Sequence, residues 1–188
     1  VNIGILALQG DFARHAQMVQ SMGHTPLFVR YPQELAQCDK LIIPGGESTT
    51  LLKLIEKNQM RDVLSAFGER KAIMGTCAGL IILSNDAPRL PYKPLGLIDI
   101  NVDRNAYGRQ IDSFVDQVQI TLDGVQNDFT GVFIRAPKIK SVGAEVNVLG
   151  RHGRDIVLAA TQHILVATFH PELTDDTRIH EYFLKNMG

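Results

Sequence analysis

Cys77 stands in Gly75-Thr76-Cys77-Ala78-Gly79, preceded by the apolar Ala72-Ile73-Met74 and followed by Leu80-Ile81-Ile82-Leu83. This order predicts a buried strand, a tight turn and a helix. It is the thiol version of the Gly-x-Ser-x-Gly elbow, which lifts a nucleophile above the end of a parallel sheet. Glycine is expected on both sides because the backbone there would adopt angles that a β-carbon opposes. A helix starting at the cysteine aims its unpaired N–H groups and positive dipole end at the sulfur, which favours thiolate over thiol. A buried cysteine acting as a small hydrophobe is the competing reading. The decision between them rests on what else the chain carries.

Two further stretches bear on it. His170-Pro171-Glu172 follows the apolar run Ile164–Phe169. In extended chain, positions two apart face the same side, and the proline is expected to keep a helix from separating them. A histidine with a carboxylate beside it has the parts of a general base and its orienting partner. Pro44-Gly45-Gly46-Glu47-Ser48-Thr49-Thr50 lies between a strand-like and a helix-like run. Its paired glycines let main-chain N–H groups approach an oxyanion or carboxylate. It lacks Gly-x-Gly-x-x-Gly and Gly-Lys-Ser/Thr, which excludes a dinucleotide fingerprint and a P-loop. A plain strand-to-helix turn capped by Ser48 or Thr49 explains it equally well.

The elements that must hold these residues follow a β-α-β rhythm. Asn2–Leu8 is a continuous apolar run that suits a strand buried on both faces. Asp11 is a candidate helix cap, and Phe12, Ala16 and Val19 recur at helical spacing up to Gly23. Strands are expected at Pro26–Arg30 and Asp39–Ile43. A helix follows with Leu51, Leu54, Ile55, Val63, Leu64 and Phe67 on its buried side, broken near Asn58-Gln59. The prolines of Asn85–Gly96 predict a surface loop without regular structure. From Leu97 the pattern changes to short strands: Leu97–Val102, Ser113–Thr121, Gly131–Arg135, Val142–Val146, Ile156–Thr161 and Ile164–Thr168. Turns are expected at Asp123-Gly124, His152-Gly153 and Gln162-His163. The last element is a helix over Asp175–Met187 that buries Ile179, Tyr182, Phe183 and Met187.

The expected fold is an α/β, flavodoxin-like three-layer sandwich. It has a central, mostly parallel sheet with helices on both faces and a mixed or antiparallel extension in the second half. Its 188 residues suit a single domain over 1–188. With 45% apolar and 21% charged residues and a net charge of −1, nothing favours nucleic acid or an anionic membrane as partner. Neither a leader nor a transmembrane stretch is read, and the two cysteines suggest no disulfide framework, so the expectation is cytoplasmic. Cys38 has no elbow around it and is read as structural. His15, His24, His152, His163 and His180 are scattered without ligand spacing, so neither a metal nor another cofactor is expected.

The three chemical stretches, in this order and at this spacing, resemble the class I, triad-type glutamine amidotransferases. The match extends to LQGDF at Leu8, PGGEST at Pro44, GTCAGLI at Gly75, VDRNAYGRQIDSF at Val102, GVFIRAP at Gly131 and FHPELTDD at Phe169. These six resemble the branch that supplies ammonia for pyridoxal 5′-phosphate (vitamin B6) synthesis, and Ala87–Pro94 alone shows no clear correspondence. The resemblance implies hydrolysis of L-glutamine to glutamate and ammonia through a thioester on Cys77, with His170 and Glu172 completing a triad. It also implies an oxyanion hole from the N–H groups of Gly46 and Ala78. Substrate contacts would come from Gly46, Glu47, Ser48, Arg104, Ile134 and Arg135. The implied partner is a (β/α)8-barrel synthase, with Gln9 and Gly10 as candidates for sensing it. Alternatives are service to another synthase, a stand-alone γ-glutamyl hydrolase, and a catalytically silent binding module that kept the elbow as structure.

Overall fold

The computed structural model of the chain describes residues 1–104 and 113–188. The segment 105–112, which holds most of the VDRNAYGRQIDSF stretch, lies outside them. The first half runs β1 (Ile3–Leu6), α1 (Phe12–Ser21), β2 (Pro26–Val29), α2 (Pro32–Leu35), β3 (Lys40–Ile43), α3 (Ser48–Lys57), α4 (Arg61–Gly68), β4 (Ile73–Thr76) and α5 (Ala78–Leu83). The second half adds β5 (Ser84–Asp86), β6 (Ile98–Asp103), β7 (Ser113–Leu122), β8 (Val125–Ile134), β9 (Lys138–Val142), β10 (Asn147–His152), β11 (Asp155–Ala160) and β12 (Ile164–Ala167). A 3-10 turn at Pro171–Leu173 leads to α6 (Arg178–Asn186).

Strands β2-β1-β3-β4-β12 lie side by side and all parallel. β1, β3, β4 and β12 are mostly apolar on both faces because both faces are covered, whereas Phe28 on the edge strand β2 is exposed. Leu41 and Ile43 join a core with Leu51, Leu52 and Ile55 of α3, Leu64 of α4 and Leu80 to Leu83 of α5. Ile42 points the other way, into a core with Ala16 and Val19 of α1 and Ile179 and Phe183 of α6. This alternation of period two along β3 is what makes three layers.

The antiparallel strands do not form a separate layer. β11 pairs antiparallel with β12, and β10, β7 and β8 continue the same sheet outward. β5, β6 and β9 form a side ribbon attached to β11 through Ile139 and Ile156.

Several boundaries differ from the sequence expectation. The strand expected at Val142–Val146 lies earlier, at β9, and Val146 instead closes a turn onto Gly143. β10 was not anticipated. It carries a register shift at Gly150, where a Cβ would come within 2.8 Å of Leu158 Cβ, so a glycine interrupts its pattern. β8 begins six residues before the expected Gly131, because Gln126, Asn127 and Asp128 pair with β7 at an end of the hairpin where both faces of β8 are exposed and neither needs apolar side chains. Asn85 and Asp86, placed in a loop by the neighbouring prolines, belong to β5, which pairs with β6. The break at Asn58-Gln59 is observed, with Gln59 at φ 56° between α3 and α4. No helix among the described residues is long and apolar enough to cross a membrane.

Candidate active site

The carboxyl ends of the parallel strands converge on one cleft of about 500 Å³. Gln9, Gly10, Gly46, Glu47, Ser48, Cys77, Ala78, Arg104, Ile134, Arg135 and His170 all line it. Glu172, the remaining expected site residue, lies behind His170. Ligands bind at this edge of open α/β sheets because strand ends and helix N-termini meet there.

Cys77 is the residue between β4 and α5, with φ 49° and ψ −104°. A left-handed φ at a non-glycine residue is strained, and strain of this kind costs on the order of 1–3 kcal/mol. The strain is therefore on the cysteine, not on its flanking glycines. Those serve close packing instead. A Cβ on Gly79 would lie 2.1 Å from the carbonyl oxygen of Ile43, and one on Gly75 would lie 2.7 Å from the backbone of Gly79. The elbow is tied down by the Cys77 N–H, which donates to the Ala167 carbonyl at 2.9 Å. Because Ala167 is opposite Thr76 in the β4–β12 register, this bond fixes Cys77 against the strand that leads to His170.

His170 is anchored from the other side, its N–H donating to Val132 of β8 at 2.8 Å. The chain after it is not extended. Pro171 opens the 3-10 turn, and that turn brings Glu172 back beneath the imidazole. The His170 Nδ1 to Glu172 Oε1 distance is 2.7 Å. Burial disfavours charge on His170, but hydrogen bonding and charge from Cys77 and Glu172 outweigh it and carry the imidazole up to about 10. Burial also disfavours charge on Glu172. The facing His15 and the hydrogen bond from His170 overcome this and hold the carboxyl down at about 2. Both shifts favour the same state, an imidazolium over a carboxylate.

Gly45 packs against this pair, and a Cβ there would come within 2.4 Å of His170 Cε1. Gly46, at φ 156°, lies against Gln9, whose Oε1 accepts the Glu47 N–H at 2.9 Å. Gly10, at φ 95°, touches the Gly45 carbonyl so closely that a Cβ would come within 1.8 Å of it. Asp11, expected as a cap for α1, makes no side-chain cap bond; its N–H donates to Gly45 O. At α3 the cap is Glu47 rather than Ser48 or Thr49. Its carboxylate accepts from the N–H groups of Thr49 and Thr50. Burial works against its charge, but these bonds bring Glu47 down to about 2.

Arg104 reaches in from the end of β6. Its guanidinium donates to Arg89 O at 3.0 Å and to Thr49 Oγ1 at 3.2 Å, and stands 3.8 Å from Glu47. Arg135 is exposed at the cleft with φ 41°. The Ile134 carbonyl is 3.9 Å from Cys77 Sγ.

The sequence reading missed the residues beneath Glu172. His15 of α1, His180 of α6 and Thr76 of β4 are fully buried and joined by hydrogen bonds. Their signal was present: His15 falls three residues after Phe12 on the apolar face of α1, where a charged or solvated histidine would not fit.

The SNO glutamine amidotransferase family model matches residues 5–188. The chain belongs to that family. Membership makes it a glutamine amidotransferase, an enzyme that takes nitrogen from glutamine. A curated relative from Thermosipho africanus, the pyridoxal 5′-phosphate synthase subunit PdxT, is 45% identical over 98% of this chain and 97% of its own length. The protein of the same name from Francisella tularensis is 47% identical over 97% of each chain. A solved structure described as a glutamine amidotransferase superposes with a TM-score of 0.90 at 41% identity, covering 97% of both chains.

Proposed function

We propose that this chain is the glutaminase subunit of a pyridoxal 5′-phosphate synthase, with Cys77, His170 and Glu172 as its catalytic triad. The observation that carries the triad is the strained Cys77 in one cleft with a His170 that is hydrogen-bonded to Glu172 at 2.7 Å. A binding module has no use for a strained thiol beside an imidazolium.

Cys77 attacks the carboxamide carbon of glutamine as a thiolate, and the carbonyl electrons move to oxygen. The main-chain N–H groups of Gly46 and Ala78 receive that oxyanion, an interaction whose loss costs roughly a hundredfold to a thousandfold in rate. His170, already protonated at neutral pH, gives its proton to the departing nitrogen, and ammonia leaves. The neutral imidazole then takes a proton from water, which attacks the γ-glutamyl thioester and releases glutamate. Glu172 keeps the imidazole oriented and stabilises its charged form.

Gly46, Glu47, Ser48 and the Ile134-Arg135 segment hold the substrate. Glu47, charged at the cleft edge, suits the α-ammonium group. An arginine suits the α-carboxylate because its fork can bind both oxygens. Arg135 is the better candidate, since the donors of Arg104 already hold the Pro88–Arg89 carbonyls and Thr49.

The ammonia passes to a (β/α)8-barrel synthase, and Gln9 and Gly10, packed on the Gly45-Gly46 turn, report docking of that partner. The chain works as a single domain in the cytoplasm, where two free cysteines persist. Glutamate release is measured with and without the synthase, with Cys77→Ala as control. Partner-stimulated release that vanishes in the variant is the expected result. Partner-independent cleavage of γ-glutamyl peptides would identify a free-standing hydrolase instead.

A further inference from the structure

Glu172 Oε1 is used by His170, but Glu172 Oε2 is buried and makes no hydrogen bond. A desolvated carboxylate oxygen is costly unless a donor or positive dipole faces it. The group that faces it is His15 Nε2, at 3.4 Å, which also lies 3.1 Å from Thr76 Oγ1. On its far side His15 Nδ1 meets His180 Nε2 at 3.0 Å. Both histidines are fully buried.

The two rings constrain each other's protons. Were His15 protonated only at Nδ1, its bare Nε2 lone pair would point at the carboxylate, and His180 Nδ1, which is buried without a partner, would be an orphaned N–H. With the proton on His15 Nε2, that N–H faces Thr76 and Glu172. His180 Nε2–H then donates to His15 Nδ1, and only a lone pair on His180 is left without a partner. The second arrangement leaves no ring N–H without a partner and turns an N–H, not a lone pair, toward the carboxylate. We infer that neutral His15, its tautomer set by His180, is a positioning residue for the triad that holds the second oxygen of Glu172 and so keeps the carboxylate aligned beneath His170.

The groups facing His15 are Asp11 at the start of its own helix, His170 and Glu172 from the far wall, and His180 from α6. Burial lowers the pKa of His15 despite the carboxylate, and burial together with His15 brings His180 down to about 3. Both rings are therefore uncharged at neutral pH. His15 contributes an N–H dipole, which strengthens the carboxylate without competing with His170 for the positive charge. The same residue touches Thr76, the neighbour of the nucleophile, so one side chain braces both arms of the site.

This inference rests on the triad assignment, and its test separates the two. In the full chain with its synthase partner, His15→Phe fills the same space but offers no donor, while His15→Gln restores one. The expected result for His15→Phe is a fall in kcat of about tenfold to a hundredfold, the range spanned by leaving a buried charged oxygen without the N–H that faces it. KM should stay within about twofold, and His15→Gln should recover part of the loss. The NMR signal of the His170 Nδ1 proton, which reports the bond to Glu172 and needs no substrate, should move or broaden in His15→Phe. Should that variant fail to fold, His180→Leu releases the tautomer and should shift the same signal. An unchanged kcat, or a lower kcat with an unmoved proton signal, would overturn the inference. Absent glutaminase activity in the unaltered complex with the signal still shifting would overturn only the assigned reaction.

Discussion

The two cysteines lie at opposite ends of paired strands, and burial does not distinguish them: Cys38 is 0% exposed and Cys77 7%. Cys38 precedes β3 at the amino edge of the sheet. Its sulfur lies 3.4 Å from the Glu34 carbonyl of α2, and burial pushes its thiol up to about 11. Cys77 follows β4 at the carboxyl edge, on a strained backbone at the start of α5, with an imidazolium beside it. The same residue type is thus a packed filler on one rim and, in the function proposed above, the nucleophile on the other. What separates them is chain direction. A parallel sheet brings strand ends, helix starts and the loops after them to one rim only. The opposite rim offers apolar packing.

The largest expected effect tests this contrast in activity. Cys77→Ala should lower glutamate release by at least about a thousandfold. Cys38→Ala should leave kcat within about twofold and cost only about 1 kcal/mol of stability, because it removes one buried sulfur contact. Steady-state kinetics and urea unfolding of both variants check the pair. Comparable activity losses would erase the distinction between the rims.

The pH dependence of stability sharpens it. Glu172 is held at about 2, below its unfolded value, so its contribution is present above about 4.3 and is lost as pH falls through the folded value. His170 is raised to about 10, so its contribution is complete below about 6.5 and is lost as pH rises through the folded value. Cys38, raised to about 11, loses its contribution later, from about 8.5 upward. The buried His15 and His180, both lowered, add stability as pH rises toward about 6.5, so urea unfolding across pH should show its maximum near 6.5. His170→Gln should remove the first part of the alkaline decline and Cys38→Ala only the last part. Identical alkaline limbs in the two variants would refute the assignment.

Much of this contrast was legible in the residues. Continuous apolar runs marked β1, β3, β4 and β12, because strands buried on both faces need no alternation. Gly-x-Cys-x-Gly and His-Pro-Glu marked their own strand ends. The reasons given for them were less well read. Steric contact between Gly79 and the Ile43 carbonyl, and the 3-10 turn at Pro171, depend on neighbours far along the chain. The His15–His180 contact spans 165 residues, and no local pattern encodes such a pair. β10 was hidden because its one fully buried residue is Gly150, which breaks its alternation.

The smallest effects come from glycines that pack beside each cysteine. A Cβ on Gly79 would meet backbone, the Ile43 carbonyl oxygen, which cannot move without unseating β3. A Cβ on Gly4 would meet the Cys38 sulfur at 2.7 Å, the end of a side chain that can be removed. Gly79→Ala should therefore cost about 3 kcal/mol and reduce activity with it. Gly4→Ala should cost about 1–2 kcal/mol with kcat retained, and the double variant Gly4→Ala/Cys38→Ala should recover about 1 kcal/mol relative to additivity. The cycle is read by urea unfolding, with the sign of the coupling as the deciding quantity. A positive recovery means that Cys38 acts through the space it fills. Strict additivity would mean that Gly4 is constrained by its own backbone and that Cys38 is not the filler its surroundings make it.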